Sequence, residues 1–330
     1  MPKRAISPTP PSAPSPHDEL ASLGYAYIPG PTGDPSDWVL RQLSSPSEGY
    51  VFRDQAHYDA VAAAAVRWVR GALCGLCGLL PLDCLPPSVP YASPGLKDHA
   101  GPLLLLVCGA PPGGDAAVWG RSLCINASCL HGAMFDYARR ASRRGWAVLV
   151  ADPHAAASPH AHLVELWRAL VAPSACTRVV VVGHSYGAAL AVHLLKAEAE
   201  ARRKVAALAL TDGMACGAEG WSGELSALLC EAVDDEADGP AAAWRRRCAA
   251  AAPLAFAPAA AEVRARVVQV ATNFVASPLP AGTLIREAVA EGADAGLREV
   301  SAGSESHPST THAATEEVFA FLAKRLEESD

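Results

Sequence analysis

Short stretches of this chain are apolar at nearly every position rather than at every second one: residues 103–107, 147–151, 178–182 and 205–211. A strand covered on one face alternates, so unbroken Val/Leu runs of this length predict strands buried on both faces, the habit of parallel sheets. Between them the pattern changes to helical spacing over 132–145, 160–171, 187–203 and, at the end, 313–325. Two weaker runs, 266–270 and 297–302, read as further strands. Repeated β-α units joined by right-handed crossovers give an α/β fold, a doubly wound and mostly parallel sheet of the α/β-hydrolase type. Earlier in the chain, apolar residues at three-to-four spacing (Val61, Ala65, Val66, Val69, Leu73) predict a long helix over 58–80, closed by Pro81. Turn-rich composition over 20–51 suggests short strands. An Ala-rich stretch, 215–262, predicts a helical cap-like insertion after the 187–203 helix. Residues 1–16, mostly Pro and Ser, read as a disordered tail, leaving 17–330 as one domain.

The third run leads into the most informative local pattern, Gly183-His-Ser-Tyr-Gly187. Strand, Gly-x-Ser-x-Gly turn and helix together describe a nucleophile elbow, which pushes the Ser185 hydroxyl out at the end of a sheet. The pentapeptide alone would arise by accident in roughly one chain in seven of this length, given ordinary glycine usage. Its setting, four valines before and small or aliphatic residues after, is what gives it weight.

A nucleophilic serine needs a base, a group to orient that base, and donors for the developing oxyanion. After Ser185 the histidines are His193, His307 and His312. His193 lies two turns into the elbow helix, too far along it to reach back. His307 sits in the small-residue loop Ser301-Ala-Gly-Ser-Glu-Ser-His307 between the last strand and the closing helix, where a base is expected; His312 is the alternative. For the acid, Asp212 ends the strand after the elbow helix, at the carboxyl edge where such sites gather. The segment 272–283, the more usual place, holds no carboxylate, so Asp212 takes the role, with Glu305 behind it. The backbone N–H groups of Tyr186 and of Gly109 or Ala110 are the expected oxyanion donors. His184 reads as a neighbour packed against the elbow.

Composition narrows the class of function further. The 330 residues are 51% hydrophobic with a formal net charge of -7, which offers no electrostatic footprint for direct nucleic-acid binding. The 10 cysteines are scattered through apolar segments in the manner of buried thiols in a reducing compartment. Cys74-x-x-Cys77 has metal or redox spacing without a second pair, and His154, His160 and His162 lack a carboxylate partner, so no metal and no organic cofactor is expected. With no apolar signal region near Met1, the expected location is intracellular, nuclear or cytoplasmic, with no membrane association.

Several separated motifs also resemble one family, in order along about 18–325. They are Val118-Trp-Gly-Arg-Ser-Leu-Cys-Ile-Asn126, Gly132-Ala-Met-Phe-Asp-Tyr-Ala-Arg-Arg140, Gly145-Trp-Ala-Val-Leu-Val-Ala-Asp-Pro153, Gly183-His-Ser-Tyr-Gly187, Ala207-Leu-Ala-Leu-Thr-Asp212, Asn273-Phe-Val-Ala-Ser277 and Val300-Ser-Ala-Gly-Ser-Glu-Ser-His307. Leu23-Gly-Tyr25 and Tyr50-Val-Phe52 fit as well. Together they resemble the Argonaute-binding-protein-two (Arb-two) domain family. That family includes animal cotranscriptional regulators of the one-seventy-two group, a subunit of the fungal Argonaute small-RNA chaperone complex, and the C-terminal domain of some histone deacetylases. The resemblance implies an α/β-hydrolase-like fold, Ser185 and His307 at the nucleophile and base positions, and Argonaute or chromatin-regulator proteins as partners. The chain departs from the family pattern after the penultimate strand, where Leu279 and Gly282 replace expected acids, and after Asp212, where Gly213-Met-Ala replaces a histidine-bearing run. Two functions stay open: a serine hydrolase acting on a small ester or other acyl substrate, and a non-catalytic interaction domain in silencing, cotranscriptional or chromatin assemblies.

Overall fold

The computed structural model describes residues 15–110, 115–213, 261–289 and 297–328. Among these a hairpin of β1 (Tyr25–Pro29) and β2 (Trp38–Gln42) stands apart from a nine-stranded sheet, whose order from edge to edge is β10 (Leu284–Arg286), β11 (Arg298–Ser301), β9 (Ala271–Val275), β8 (Val205–Thr211), β7 (Val179–His184), β5 (Leu103–Val107), β6 (Ala147–Val150), β4 (Tyr91–Ala92) and β3 (Leu80–Pro81). Its centre is six parallel strands: β5, β6, β7, β8, β9 and β11. Short antiparallel strands close both edges, β3 and β4 on one side and β10 on the other. The fold class is α/β with a mostly parallel sheet of the α/β-hydrolase type.

The unbroken apolar runs have the predicted cause. Strands β5 to β9 are buried along their whole length. Their residues divide by parity between two cores. Leu104, Leu106, Val180, Val182, Ala207 and Ala209 face one, and Leu103, Leu105, Val179, Val181, Leu208 and Leu210 face the other. The first core lies under α2 (Gln55–Cys77), α5 (Phe135–Arg143) and the closing helix Thr315–Glu327. The second lies under α6 (Pro159–Leu166) and α7 (Tyr186–Ala197). Helix α2 is long and apolar enough to cross a membrane by length and composition. In this fold its Val61, Ala65, Trp68, Val69 and Leu73 are instead buried in the first core.

Chain order creates the site. From β5 the chain moves outward to β6, then returns to place β7 on the opposite side of β5. The chain leaves the carboxyl ends of β5 and β7 towards helices on different faces, the arrangement of a topological switch point.

Two expectations need correction, and two others lie almost wholly outside the described residues. Residues 266–270 are the end of a helix, Ala261–Val270, and the strand follows at β9. Val263, Val267 and Val270 form one buried helical stripe, whereas Thr272 and Asn273 gave the true strand a polar look. The insertion reading, 215–262, lies outside the described residues except at its end, where Ala261 and Glu262 begin that helix. The tail reading, 1–16, lies outside them up to residue 14, and Ser15 and Pro16 are ordered: Ser15 caps the helix Pro16–Ser22 through a capping box with Asp18. The elbow helix stops at Ala197, and Glu198 in an extended conformation starts a separate turn, Ala199–Lys204.

Candidate functional site

Ser185 sits where β7 turns into α7, with φ 54° and ψ −121°. A non-glycine residue in this region is strained, and it persists only because the surroundings over-determine it. Those surroundings are backbone. A Cβ on Gly187 would lie 2.4 Å from the Val107 carbonyl oxygen and 2.5 Å from that of Cys108, so α7 rests directly on the end of β5. A Cβ on Gly183 would lie 2.9 Å from the Gly187 carbonyl oxygen. Both glycines of the motif are therefore demanded by close approach, and the strand and helix they join clamp the serine between them.

His307 opens the turn His307–Ser309 after the loop that follows β11. Its Nε2 lies 3.1 Å from Ser185 Oγ, and its Nδ1 lies 2.6 Å from Asp212 Oδ2. Asp212 follows β8 with φ 48°, a left-handed conformation that Asp tolerates better than most residues. Its N–H donates to the Phe274 carbonyl at 2.7 Å, and its Oδ1 accepts from Ala276 N–H at 3.1 Å. The carboxylate is thus held by the neighbouring strand β9 and its exit, with Oδ2 left for the imidazole. Because a carboxylate only accepts, Nδ1 carries the proton and Nε2 is the acceptor for the serine hydroxyl. Relative exposures of 14% for the Asp212 side chain and 40% for that of His307 place the acid inside and the base nearer the surface.

The structure brings Ser185, His307 and Asp212 into one hydrogen-bonded chain. Gly109 adjoins it: a Cβ there would stand 3.1 Å from Ser185 Cβ, so the loop after β5 lies against the elbow. Ala110 is next in that loop, and Tyr186 begins α7, whose first-turn N–H groups and positive dipole end favour an anion beside Ser185. The alternatives fall elsewhere. His312 packs against His131, with ring centroids 4.0 Å apart and the rings tilted, and burial pulls its pKa down to about 4. Asp212, rather than Glu305, occupies Nδ1 of the base. His193 pairs with His160 at 4.8 Å between ring centroids.

Beneath the base lies a buried network that the sequence did not single out. His184 Nδ1 is 3.0 Å from the Thr211 carbonyl and 3.1 Å from Thr311 Oγ1, and the Thr211 and Thr311 hydroxyls are 2.6 Å apart. Burial pulls the His184 pKa down to about 3, the proximity of His307 adding to the effect. Thr311 carries no sequence signal beyond its neighbourhood to His307. Thr211 could have been noticed as the residue before Asp212. On the other side, the Tyr186 ring packs against His154 and His160, with centroids 5.8 Å and 5.6 Å away. Burial is the main cause that lowers the pKa of both histidines. Among the described residues no group of three or more His, Cys, Asp or Glu side chains is arranged to hold a metal ion.

No protein-family model matches this chain, and no curated protein matches it. Solved structures do. The histone deacetylase Clr3 is similar at 12% identity over 86% of this chain and 40% of that one, with a TM-score of 0.46. A 2-hydroxy-6-oxo-6-phenylhexa-2,4-dienoate hydrolase from Rhodococcus sp. strain RHA1 is similar at 19% identity, covering 44% of this chain and 50% of that one, with a TM-score of 0.28. A marine microorganism esterase is similar at 14% identity, covering 55% and 57% of the two chains, with a TM-score of 0.27. The match thus spans less than two thirds of each of these proteins.

Proposed function

We propose that this protein is a serine hydrolase acting on an ester, thioester or similar acyl bond. The observation that carries the reading is the chain Asp212–His307–Ser185, with bonds of 2.6 Å and 3.1 Å. Ser185 Oγ attacks the acyl carbon while His307 Nε2 takes the hydroxyl proton. The tetrahedral oxyanion is met by the N–H groups of Tyr186 and of Gly109 or Ala110. His307 then returns the proton to the leaving oxygen or sulfur as the acyl-enzyme forms. In the second half of the cycle it activates water against the acyl-enzyme by the same path in reverse. Asp212 holds the imidazole in the tautomer this requires. Turnover of p-nitrophenyl esters and acyl thioesters graded in chain length tests the reading. Hydrolysis lost in Ser185→Ala supports it, and equal residual rates for wild type and variant overturn it.

The finer assignment we propose is kinship with the Arb-two domain family. The segments carrying that resemblance are the ones that build the site: the elbow, the β8 end at Asp212, the β9 exit that bonds it, and the His307 loop. The motif starting at Val118 adjoins the same place, since a Cβ on Gly120 would lie 3.6 Å from Pro308 Cβ. Under this assignment the second reading is an interaction domain in small-RNA, cotranscriptional or chromatin regulation, with Argonaute or chromatin-regulator partners. Affinity purification of the tagged protein, comparing wild type with Ser185→Ala, separates the two: partners retained by the variant alongside absent turnover favour the interaction domain.

A further inference from the structure

We propose that His184 is a positioning residue for His307: its ring lies face to face with the base and holds it in register between Ser185 and Asp212. The inference rests on the hydrolase reading above and deepens it.

His184 occupies the variable position before the serine, a place whose side chain has no part in the proton path. Here it is buried, lies against the base, and is bonded to the residue that precedes the acid. Its ring centroid is 5.0 Å from that of His307, with an interplanar angle of 29°, a stacked arrangement. Its Nδ1 donates to the Thr211 carbonyl, the residue immediately before Asp212, and that carbonyl also accepts from Ser185 N–H at 3.1 Å. Thr311 Oγ1, four residues beyond His307 on the same return of the chain, shares that nitrogen. A Cβ on Gly109 would stand 3.5 Å from His184 Cδ2, so the same ring borders the oxyanion loop. Trp119 closes the remaining side, edge-on, at 6.3 Å between ring centroids.

Tied at Nδ1 from two elements, the ring cannot rotate. Its face is therefore a fixed platform for the more exposed imidazole above it. The titratable or charged groups that act on His184 are His307 and Asp212; Thr211 and Thr311 supply only neutral bonds. Because His184 stays neutral, the platform does not repel His307 when the base gains its proton.

The test reads His307 directly and does not depend on turnover. The imidazole signals of His307 are recorded by NMR at one fixed pH in wild type, His184→Phe and His184→Leu, together with the exchange rate of the Nδ1 proton that bonds Asp212. Thermal unfolding checks that each variant is folded. Leu removes the ring face, and exchange of that proton is expected to quicken about tenfold, the scale of one aromatic pair. Phe keeps the face but lacks the tie at Nδ1, and is expected to quicken exchange by less than Leu. Labelling of Ser185 by a fluorophosphonate is expected to slow about tenfold in Leu and less in Phe. Unchanged exchange in folded His184→Leu, or equal changes in Leu and Phe, overturns the proposal. Should Leu fail to fold, Thr311→Val loosens the tie at Nδ1 and is expected to quicken exchange by less; no change overturns the proposal. Wild type that resists labelling while its His307 exchange still depends on the 184 ring would sink the hydrolase reading and leave the positioning role standing.

Discussion

Replacing Asp212 with asparagine exchanges one oxygen for an NH2 group and leaves the shape of the side chain unchanged. The backbone accepts the change, since φ 48° lies in the left-handed region that Asn tolerates as readily as Asp. The consequences at the two side-chain atoms differ. Ala276 N–H points at Oδ1 from 3.1 Å and requires an acceptor, so the amide oxygen stays there. The NH2 group then faces His307 Nδ1, where Oδ2 had stood at 2.6 Å. Two donors cannot share that bond, so Nδ1 becomes the acceptor and the ring proton moves to Nε2. With Nε2 protonated, the base can no longer take the Ser185 proton across the 3.1 Å bond. The reversed amide would set NH2 against Ala276 N–H, which is no better. Trapping the wrong tautomer with geometry intact costs about 10⁴ in rate in Ser-His-Asp enzymes, or about 5 kcal/mol of transition-state stabilisation. The assay is the second-order rate of inactivation by a fluorophosphonate near neutral pH, with urea unfolding to confirm that stability changes by no more than about 1–2 kcal/mol. Asp212→Asn reacting within tenfold of wild type would show that Asp212 does not set the tautomer of the base.

Ser185→Gly should unfold at higher urea than Ser185→Ala by about 1 kcal/mol, the reverse of the usual order, because glycine releases the φ 54° strain that alanine keeps. Gly187→Ala should lose about 3 kcal/mol or more, since its Cβ would stand 2.4 Å from the Val107 carbonyl on β5; unfolding at the wild-type urea midpoint would count against the clash. His312, packed on His131 and near Arg140 and Asp37, is held neutral with its pKa down at about 4. The unfolded chain binds that proton below about pH 6.5 and the native state does not, so stability falls as pH drops from about 6.5 towards 4. His312→Gln should flatten that slope, read from urea unfolding at pH 7 and pH 5; an unaltered slope would assign it to other groups.

The parallel sheet could be read because its strands are buried on both faces, and sequence records that directly as unbroken Val and Leu runs. Strand β9 broke the rule. Thr272 and Asn273 are buried polar residues, and Asn273 Oδ1 accepts from Gly213 N–H at 3.0 Å, so the side chain that helps fix the Asp212 loop hid the strand. Val267, Val268 and Val270 crowd a five-residue window that reads as a strand, whereas Val267 and Val270 belong with Val263 to one buried helical face. Within the site, Ser185 stood out through the two glycines that close approach demands. His307 could be singled out by chain order and its place in a loop, and Asp212 by its position at a strand end. The Thr211–Thr311–His184 network was invisible because it joins residues 100 and 127 positions apart, and ordinary threonines carry no local pattern.

Ser185 as an activated nucleophile, with His307 as its base, is put to the test by fluorophosphonate labelling of the purified protein, the modified residue being located by peptide mass. One adduct, on Ser185, is expected in wild type, and none at comparable exposure in Ser185→Ala or His307→Ala. A folded wild type that stays unlabelled, or a His307→Ala variant that labels as fast as wild type, would show that this serine is not activated by that histidine.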